Sequence, residues 1–371
     1  MGLRVTGLSK FYSRKDQSHQ ALDNVSFTVP KGAFVTLLGP SGCGKSTLLN
    51  LIAGLDFPSA GKIEIGGRKI YDDAQRLFVP PGERDISMVF QSYAIWPHMT
   101  VRENVEFPLK HGRSKLTPSD RHATVTRALE KVHLDSFQDR PAPLLSGGQQ
   151  QRVSLARAIA QSPSLILLDE PLSNLDANLR EAMQKEIRAI VTDEGITAVY
   201  VTHDQKEALS MSDIVIVLKD GRIEQIGTPW DVYYRPVNRF VADFMGAPNL
   251  IGATVTAVDR ERQEISASCA LGPIQFKSHD DVPQVGDRLT LVLKQEDLVI
   301  DISSNAEAAT NSFTLPLAKR VFLGERMEIT CALPGAPDDV LTIYASARTP
   351  IGADVIRFHC RPEEIHYFRE P

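Results

Sequence analysis

A chain of 371 residues has room for one large domain and a smaller one, each with a buried core. Hydrophobic residues at 42%, charged residues at 23% and a net charge of −5 are those of a soluble globular protein without the basic field that attracts nucleic acid, so no DNA or RNA partner is expected. Four scattered cysteines, Cys43, Cys269, Cys331 and Cys360, form no CxxC pair and signal neither a zinc site nor a disulfide framework, which fits a reducing cytoplasm.

The N-terminus, Met1-Gly2-Leu3-Arg4-Val5, lacks the charged-then-apolar layout of a secretion signal. Gly2 and Thr6 superficially match a myristoylation pattern, but the context reads better as entry to a strand. No apolar run approaches the ~20 residues that cross a bilayer, so membrane contact is expected through a partner. Apolar strand runs at 34–38, 165–168 and 198–201, with a helical pattern at 46–53 after the first, predict an α/β domain. The run at 165–168 is apolar at every position, as in a parallel sheet covered by helices on both faces. Ligands collect at the carboxyl ends of such strands, and Gly39, Asp169 and His203 each stand just after one. Between Gln91 and Leu145 the sequence turns helical and charged, which predicts a helical subdomain of about 92–160 inserted in a domain spanning 1–245. From Gly246 onward β-branched stretches and Gly/Pro turns, at 253–258, 288–293, 327–333 and 355–358, predict an all-β domain over 246–371. Within it the polar stretch 301–312 reads as a loop, and the echo of Gln295-Glu296-Asp297-Leu298 in Pro362-Glu363-Glu364-Ile365 allows a two-copy β module.

Gly39-Pro40-Ser41-Gly42-Cys43-Gly44-Lys45-Ser46-Thr47 matches the phosphate-loop pattern and lies between a strand and a helix, the context that pattern requires. Its glycines let backbone N–H groups converge on the phosphates of ATP, Lys45 neutralises the β and γ phosphates, and Ser46 is expected to hold Mg²⁺. Cys43 reads as a small residue whose backbone is used. The strand at 165–168 ends in Asp169 and Glu170, two carboxylates with different expected tasks: Asp169 binds Mg²⁺ through water, and Glu170 polarises the attacking water. Ser146-Gly147-Gly148-Gln149 opens a helix and makes a second anion-binding terminus, with no lysine of its own. The economical reading is that it completes a site in another copy, as a head-to-tail dimer holding two ATP molecules. An ordinary glycine turn before a helix is the alternative.

In order and spacing, the phosphate loop, Gln91, Leu145 to Gln149, Asp169-Glu170, Ser173-Asn174-Leu175-Asp176 and His203 resemble the signature motifs of ABC ATPases over about residues 3–245. The resemblance implies a P-loop NTPase cassette in which Gln91 senses Mg²⁺ and a transmembrane permease. It also implies that the turn ending at Asp176 links two sites across a dimer and that His203 contacts the γ-phosphate. Tyr12 stands where the family stacks an aromatic on adenine; Phe11 is the alternative, and a packed core aromatic competes with either. The segment from Gln91 to Thr100 reads either as core packing of the helical subdomain or, as the resemblance implies, as part of a groove for a short permease helix.

Gln149-Gln150-Gln151-Arg152-Val153, Asp204 with Glu207-Ala208-Leu209, Gly227-Thr228-Pro229 and the β tail are similar to the ATPase subunits of bacterial binding-protein-dependent importers. The tail resembles the OB-type regulatory domain of the maltose, polyamine and ferric-iron group. It departs from that group at Lys294-Gln295-Glu296, where Arg-Pro-Glu is usual, while Arg361-Pro362-Glu363 occurs near the end. The resemblance implies an ATPase peripheral to the cytoplasmic face of the bacterial inner membrane, served indirectly by a solute-binding protein. Trp96-Pro97-His98 is closer to ferric-iron, polyamine and phosphonate importers than to maltose or glycerol-phosphate importers, which are the alternative. A non-transport ABC ATPase, or a tail acting chiefly as a small-molecule sensor, are the readings from other classes.

Overall fold

Alternation of buried Leu3, Val5 and Leu8 with exposed Arg4 and Thr6 makes β1 (Leu3–Arg14) a strand with one face on a core, paired antiparallel with β2 (Gln17–Val29). The next strand, β3 (Phe34–Leu38), is buried at every position because it lies in the interior of a second sheet. It feeds the phosphate loop and then α1 (Lys45–Ala53), which Gly54 closes in the left-handed conformation at φ 80°. Strands β4 (Ala60–Ile65), β5 (Arg68–Asp72) and β6 (Leu77–Phe78) complete the first sheet in the order β2-β1-β4-β5-β6. This computed structural model describes residues 1–14, 17–112, 116–278, 282–301, 310–334, 336–352 and 354–369.

After β7 (Ile86–Val89) come α2 (Val101–His111), α3 (Pro118–Lys131) and α4 (Gly147–Ile159), the helical insertion expected from the charged pattern. Thr100 and Glu103 form a capping box at the start of α2, satisfying end groups that the helix itself leaves unpaired. The chain then alternates β8 (Leu165–Asp169), α5 (Ala177–Asp193), β9 (Thr197–Thr202), α6 (Gln205–Met211), β10 (Ile214–Lys219) and β11 (Arg222–Gly227). The second sheet runs β11-β10-β3-β9-β8-β7, parallel from β10 to β7, with β11 antiparallel at its edge. Two apolar clusters fill this region, one containing Phe34, Leu168 and Tyr200 and the other Leu37, Leu48 and Val201.

Contacts divide the chain into two compact units, Met1–Pro229 and Trp230–Pro371, rather than at 245–246. Two short helices, α7 (Pro229–Tyr234) and α8 (Arg239–Phe244), explain the difference. The Tyr233 hydroxyl donates to Glu296 Oε1 at 2.6 Å, and the Lys294 ammonium sits 3.7 Å from the Tyr233 ring centroid. The Pro236 carbonyl accepts from His366 Nε2 at 3.0 Å. Helical residues before Gly246 are thus held by the β-rich unit.

That unit contains β12 (Asn249–Asp259), β13 (Glu264–Cys269), β14 (Gly272–Lys277), β15 (Arg288–Leu293), β16 (Val299–Ile300), β17 (Ser312–Phe322), β18 (Arg326–Leu333), β19 (Ala336–Ser346), β20 (Val355–His359) and β21 (His366–Arg369). They form two five-stranded sheets, β14-β13-β12-β15-β21 and β16-β20-β17-β18-β19, around a single apolar cluster. Most of the expected loop at 301–312, namely 302–309, lies outside the described residues. All four cysteines are free. Among the described residues no helix is long and apolar enough to cross a membrane.

Candidate active site

The loop after β3 turns back on itself because two of its glycines cannot be replaced. A Cβ at Gly39 would lie 2.3 Å from the Leu218 carbonyl oxygen, and Gly44 adopts φ 104° with a Cβ position 2.6 Å from the Ala21 carbonyl oxygen. Lys45, the first residue of α1, is 5% exposed and donates to the carbonyls of Gly39 at 2.7 Å and Pro40 at 2.9 Å. Its ammonium is therefore held by neutral oxygens of its own loop rather than by a carboxylate. Cys43 is buried, its Sγ 3.7 Å from Lys45 Nζ, and burial pushes its thiol up from the ordinary range.

Ser46 and Asp169 meet although they are far apart in the chain: the Ser46 hydroxyl donates to Asp169 Oδ1 at 3.1 Å. Burial raises the Asp169 carboxyl above its ordinary value, the Ser46 hydrogen bond opposes that rise, and the neighbouring Glu170 charge adds to it. A half-buried carboxylate beside a hydroxyl offers hard oxygen donors whose unfavourable charge a divalent cation would relieve. Among the described residues no cluster of three or more His, Cys, Asp or Glu side chains forms a cage. These residues fit Mg²⁺, which takes one or two protein oxygens and fills its remaining positions with phosphate and water.

Glu170 leaves β8 with φ 42°, a left-handed conformation that costs a side-chain-bearing residue about 1–2 kcal/mol. Local hydrogen bonds maintain it: its N–H donates to the Val201 carbonyl at 3.1 Å, and its carbonyl accepts from Ser173 Oγ at 3.0 Å. The turn aims the carboxylate into the cleft, with Oε1 3.3 Å from His203 Nδ1.

That cleft, about 290 Å³, is lined by Tyr12, His19, Ala21, Ser41, Gly42, Gly44, Lys45, Ser46, Thr47 and Glu170. Tyr12 is 42% exposed, so it is not a core aromatic; Phe11, 48% exposed, is not among the lining residues. Sequence reasoning missed what holds Tyr12. Its hydroxyl donates to Asp56 Oδ2 at 2.7 Å, while Lys10 Nζ donates to Asp56 Oδ1 at 2.7 Å and sits 4.6 Å from the Tyr12 ring centroid. Burial raises the Asp56 carboxyl, yet the hydrogen bonds from Lys10 and Tyr12 outweigh it and hold the group below the usual carboxylate range. No local pattern marks Asp56, because its partners are brought to it by pairing of β1 with β4.

The remaining expected residues lie elsewhere. Gln91 is joined to the Ser173 turn, its Nε2 donating to Ser173 Oγ at 3.2 Å and its carbonyl accepting from Asn174 Nδ2 at 3.0 Å. Asp176 caps α5, Oδ1 accepting from the Leu179 N–H at 3.1 Å. Ser146 caps α4 in a reciprocal capping box with Gln149, Ser146 and Gly147 are exposed, and Gly148 packs so closely that a Cβ would meet Leu179 at 2.8 Å. None of Gln91, Ser146, Gly147, Gly148, Gln149 and Asp176 is among the residues lining the cleft. The segment after Gln91 is packed on one side and borders a groove on the other. Tyr93 is buried and Ile95 packs on the core, whereas Trp96, 4.4 Å from the Phe107 ring, borders a separate groove of about 560 Å³ shared with Arg84 and His111. Arg157 fixes this segment by donating to the carbonyls of Tyr93 at 2.8 Å and Ala94 at 2.6 Å.

Comparison with known proteins gives a consistent picture. Residues 22–173 match the family described as ABC transporter. The chain is 42% identical over 331 residues to the spermidine/putrescine import ATP-binding protein PotA of Oleidesulfovibrio alaskensis, covering 89% of this chain and 84% of that protein. It is 41% identical over 370 residues to the protein of that name from Bacteroides thetaiotaomicron, covering 99% of this chain and 73% of the relative. Among solved structures, the dimeric ATP-binding cassette MJ0796 in a post-hydrolysis state bound to ADP and Pi is similar with a TM-score of 0.53 and 35% identity, covering 61% of this chain and 98% of that one. The cbiO1 protein of Clostridium perfringens, part of the ABC transporter complex cbiONQ, is similar with a TM-score of 0.56 and 28% identity, covering 63% of this chain and 90% of that one.

Proposed function

The chain belongs to the ATP-binding subunits of ABC transporters, which hydrolyse ATP to drive transport, and from that premise we propose that two copies of it close head to tail on two ATP molecules to power polyamine import through a separate permease. The observation that carries the two-copy reading is the composition of the cleft. It gathers Tyr12, Lys45, Ser46 and Glu170, whereas the helix terminus that opens at the exposed Ser146 and Gly147 is not among its lining residues. An exposed terminus of that kind suits the phosphates of a nucleotide held by another copy.

In this reading Tyr12 stacks on adenine, and the N–H groups of the Gly39 to Thr47 loop surround the phosphates. Lys45 exchanges its carbonyl partners, Gly39 and Pro40, for phosphate oxygens. Ser46 and Asp169 would hold Mg²⁺, which would supply neutralisation of phosphate charge. Glu170 orients the attacking water and accepts its proton, and His203 steadies that carboxylate while contacting the γ-phosphate. Gln91 and the turn from Ser173 to Asp176, hydrogen-bonded to each other, carry nucleotide state toward the permease and the other copy. The groove beside Trp96 receives a helical segment of the permease, and in this reading the chain works at the cytoplasmic face of a bacterial inner membrane. The β-rich unit serves regulation.

Spermidine or putrescine as cargo rests on the names of the relatives. The test is ATP hydrolysis by the complex reconstituted with its permease in liposomes, challenged with the solute-binding protein loaded with putrescine, spermidine, ferric iron or maltose. Stimulation by a polyamine-loaded protein alone supports the cargo; stimulation only by another solute refutes it.

A further inference from the structure

Glu207, on α6, is 4% exposed and does not line the nucleotide cleft, yet it stands at the centre of a buried network. One of its oxygens, Oε2, accepts from the Tyr200 hydroxyl at 2.7 Å and from the Thr202 hydroxyl at 2.6 Å. The same Thr202 oxygen accepts from the Asp204 N–H at 2.9 Å, and Asp204 Oδ1 in turn accepts from the N–H groups of Lys206 at 2.7 Å and Glu207 at 3.3 Å. The residues on both sides of His203 are thereby tied to one carboxylate. The other oxygen, Oε1, faces Arg180 Nε at 4.0 Å, and Arg180 also lies 3.7 Å from Asp204 Oδ2 and donates to the Leu175 carbonyl at 3.0 Å.

Burying a carboxylate is costly unless its lone pairs are used, and this one accepts hydrogen bonds from two hydroxyls and faces a guanidinium. A helix end does not need such a device: Asp204 already caps α6. His203 itself is 58% exposed at the side chain, and its contact with Glu170 Oε1 is 3.3 Å long. Little of its orientation therefore comes from its own packing. We propose that Glu207 is the positioning residue that fixes the His203 turn, and that Arg180 joins this turn through the same carboxylate to the turn from Ser173 to Asp176. The inference rests on the reading of His203 as a γ-phosphate contact. Neither Glu207 nor Arg180 touches nucleotide in this arrangement; both act through the backbone that carries His203 and Leu175.

The experiment is a double-mutant cycle on the full chain, measuring ATP turnover and ATP affinity separately. Glu207→Gln keeps the shape but replaces an oxygen that accepts by a group that donates, and is expected to lower turnover at saturating ATP about tenfold with the dissociation constant unchanged within about twofold. In a His203→Ala background the same change should alter residual turnover less than about twofold, because the group it positions is gone. Thr202→Val, which removes one hydroxyl and leaves the carboxylate, should reproduce part of the loss and covers the case in which Glu207→Gln fails to fold. Selective ¹⁵N-histidine labelling provides a readout that needs no turnover: Glu207→Gln and Thr202→Val should each shift the resonance that His203→Ala removes, leaving the other histidines in place.

A slow His203→Ala chain in which Glu207→Gln still costs about tenfold overturns the inference alone, as does a His203 resonance unmoved by either variant. A His203→Ala chain with wild-type turnover overturns the role of His203 itself, and the inference with it.

Discussion

The Ser46 hydroxyl donates to Asp169 Oδ1 at 3.1 Å, joining the first turn of the phosphate-loop helix to the end of a strand that follows more than a hundred residues later. Since burial raises the Asp169 carboxyl, the folded protein holds a proton there above the ordinary carboxylate value of 3.8. The sign follows: folded stability falls as pH rises from that value through the raised one, because the unfolded chain releases its proton first. Binding of Mg-ATP should release this proton at acidic pH. Calorimetry in buffers of different ionisation enthalpy reads it, and Asp169→Asn should abolish the release.

Tyr12 and Asp56 give a test of nucleotide affinity separate from chemistry. Stacking of a base on an aromatic is worth about 1–3 kcal/mol, so Tyr12→Ala should weaken ATP binding roughly tenfold or more with turnover at saturation little changed. Asp56→Ala, which frees the Tyr12 hydroxyl and the Lys10 ammonium, should weaken binding severalfold, because the ring loses the hydrogen bond that orients it. Equilibrium titration with a fluorescent ATP analogue checks both. An Asp56→Ala chain with lower turnover and unchanged affinity contradicts this role.

Gly147 is exposed, and a Cβ there would find only Leu175, at 3.8 Å. Gly147→Asp should therefore fold normally and bind ATP as a single chain with unchanged affinity. A carboxylate directed at another copy's phosphates should nevertheless lower hydrolysis by about a hundredfold or more. Loss of ATP binding by the single chain would instead place this terminus in its own cleft.

In the β-rich unit, burial lowers the Lys294 ammonium to about 8, against the opposing charges of Glu296 and Asp297. The folded state sheds this proton before the unfolded chain does, so stability should rise as pH rises from about 8 toward the ordinary value of 10.5. Thermal unfolding of the full chain across that window should show the rise, and Lys294→Met should remove it.

Strands buried on both faces and a loop whose glycines have no substitutes announce themselves in sequence, which is why β3, β8, β9 and the phosphate loop were expected where they lie. The antiparallel sheet of β1, β2, β4, β5 and β6 was not, because its alternating pattern is short and its partners are set by pairing across many residues. The same limit hid Asp56 and the buried Arg84, whose guanidinium donates to the carbonyls of Leu51 at 2.8 Å and Ile52 at 2.6 Å at the end of α1. Glu207 was visible as part of a family resemblance, but its link to Thr202 and Tyr200 exists only once β9 and α6 are folded together. The unit boundary moved to Pro229–Trp230 because contacts of Tyr233 with Glu296 and Lys294, invisible locally, bind α7 to the β-rich unit.

The central claim is that the motor is a pair of chains closed on two nucleotides, and its most direct measurement is the mass of Glu170→Gln with and without Mg-ATP by analytical ultracentrifugation. Removing the base while leaving the phosphate contacts should trap the closed state. The account predicts particles of two chains retaining two unhydrolysed ATP molecules, a state that Gly147→Asp in the same chain prevents. Particles of one chain that bind ATP to saturation without gaining mass would contradict it.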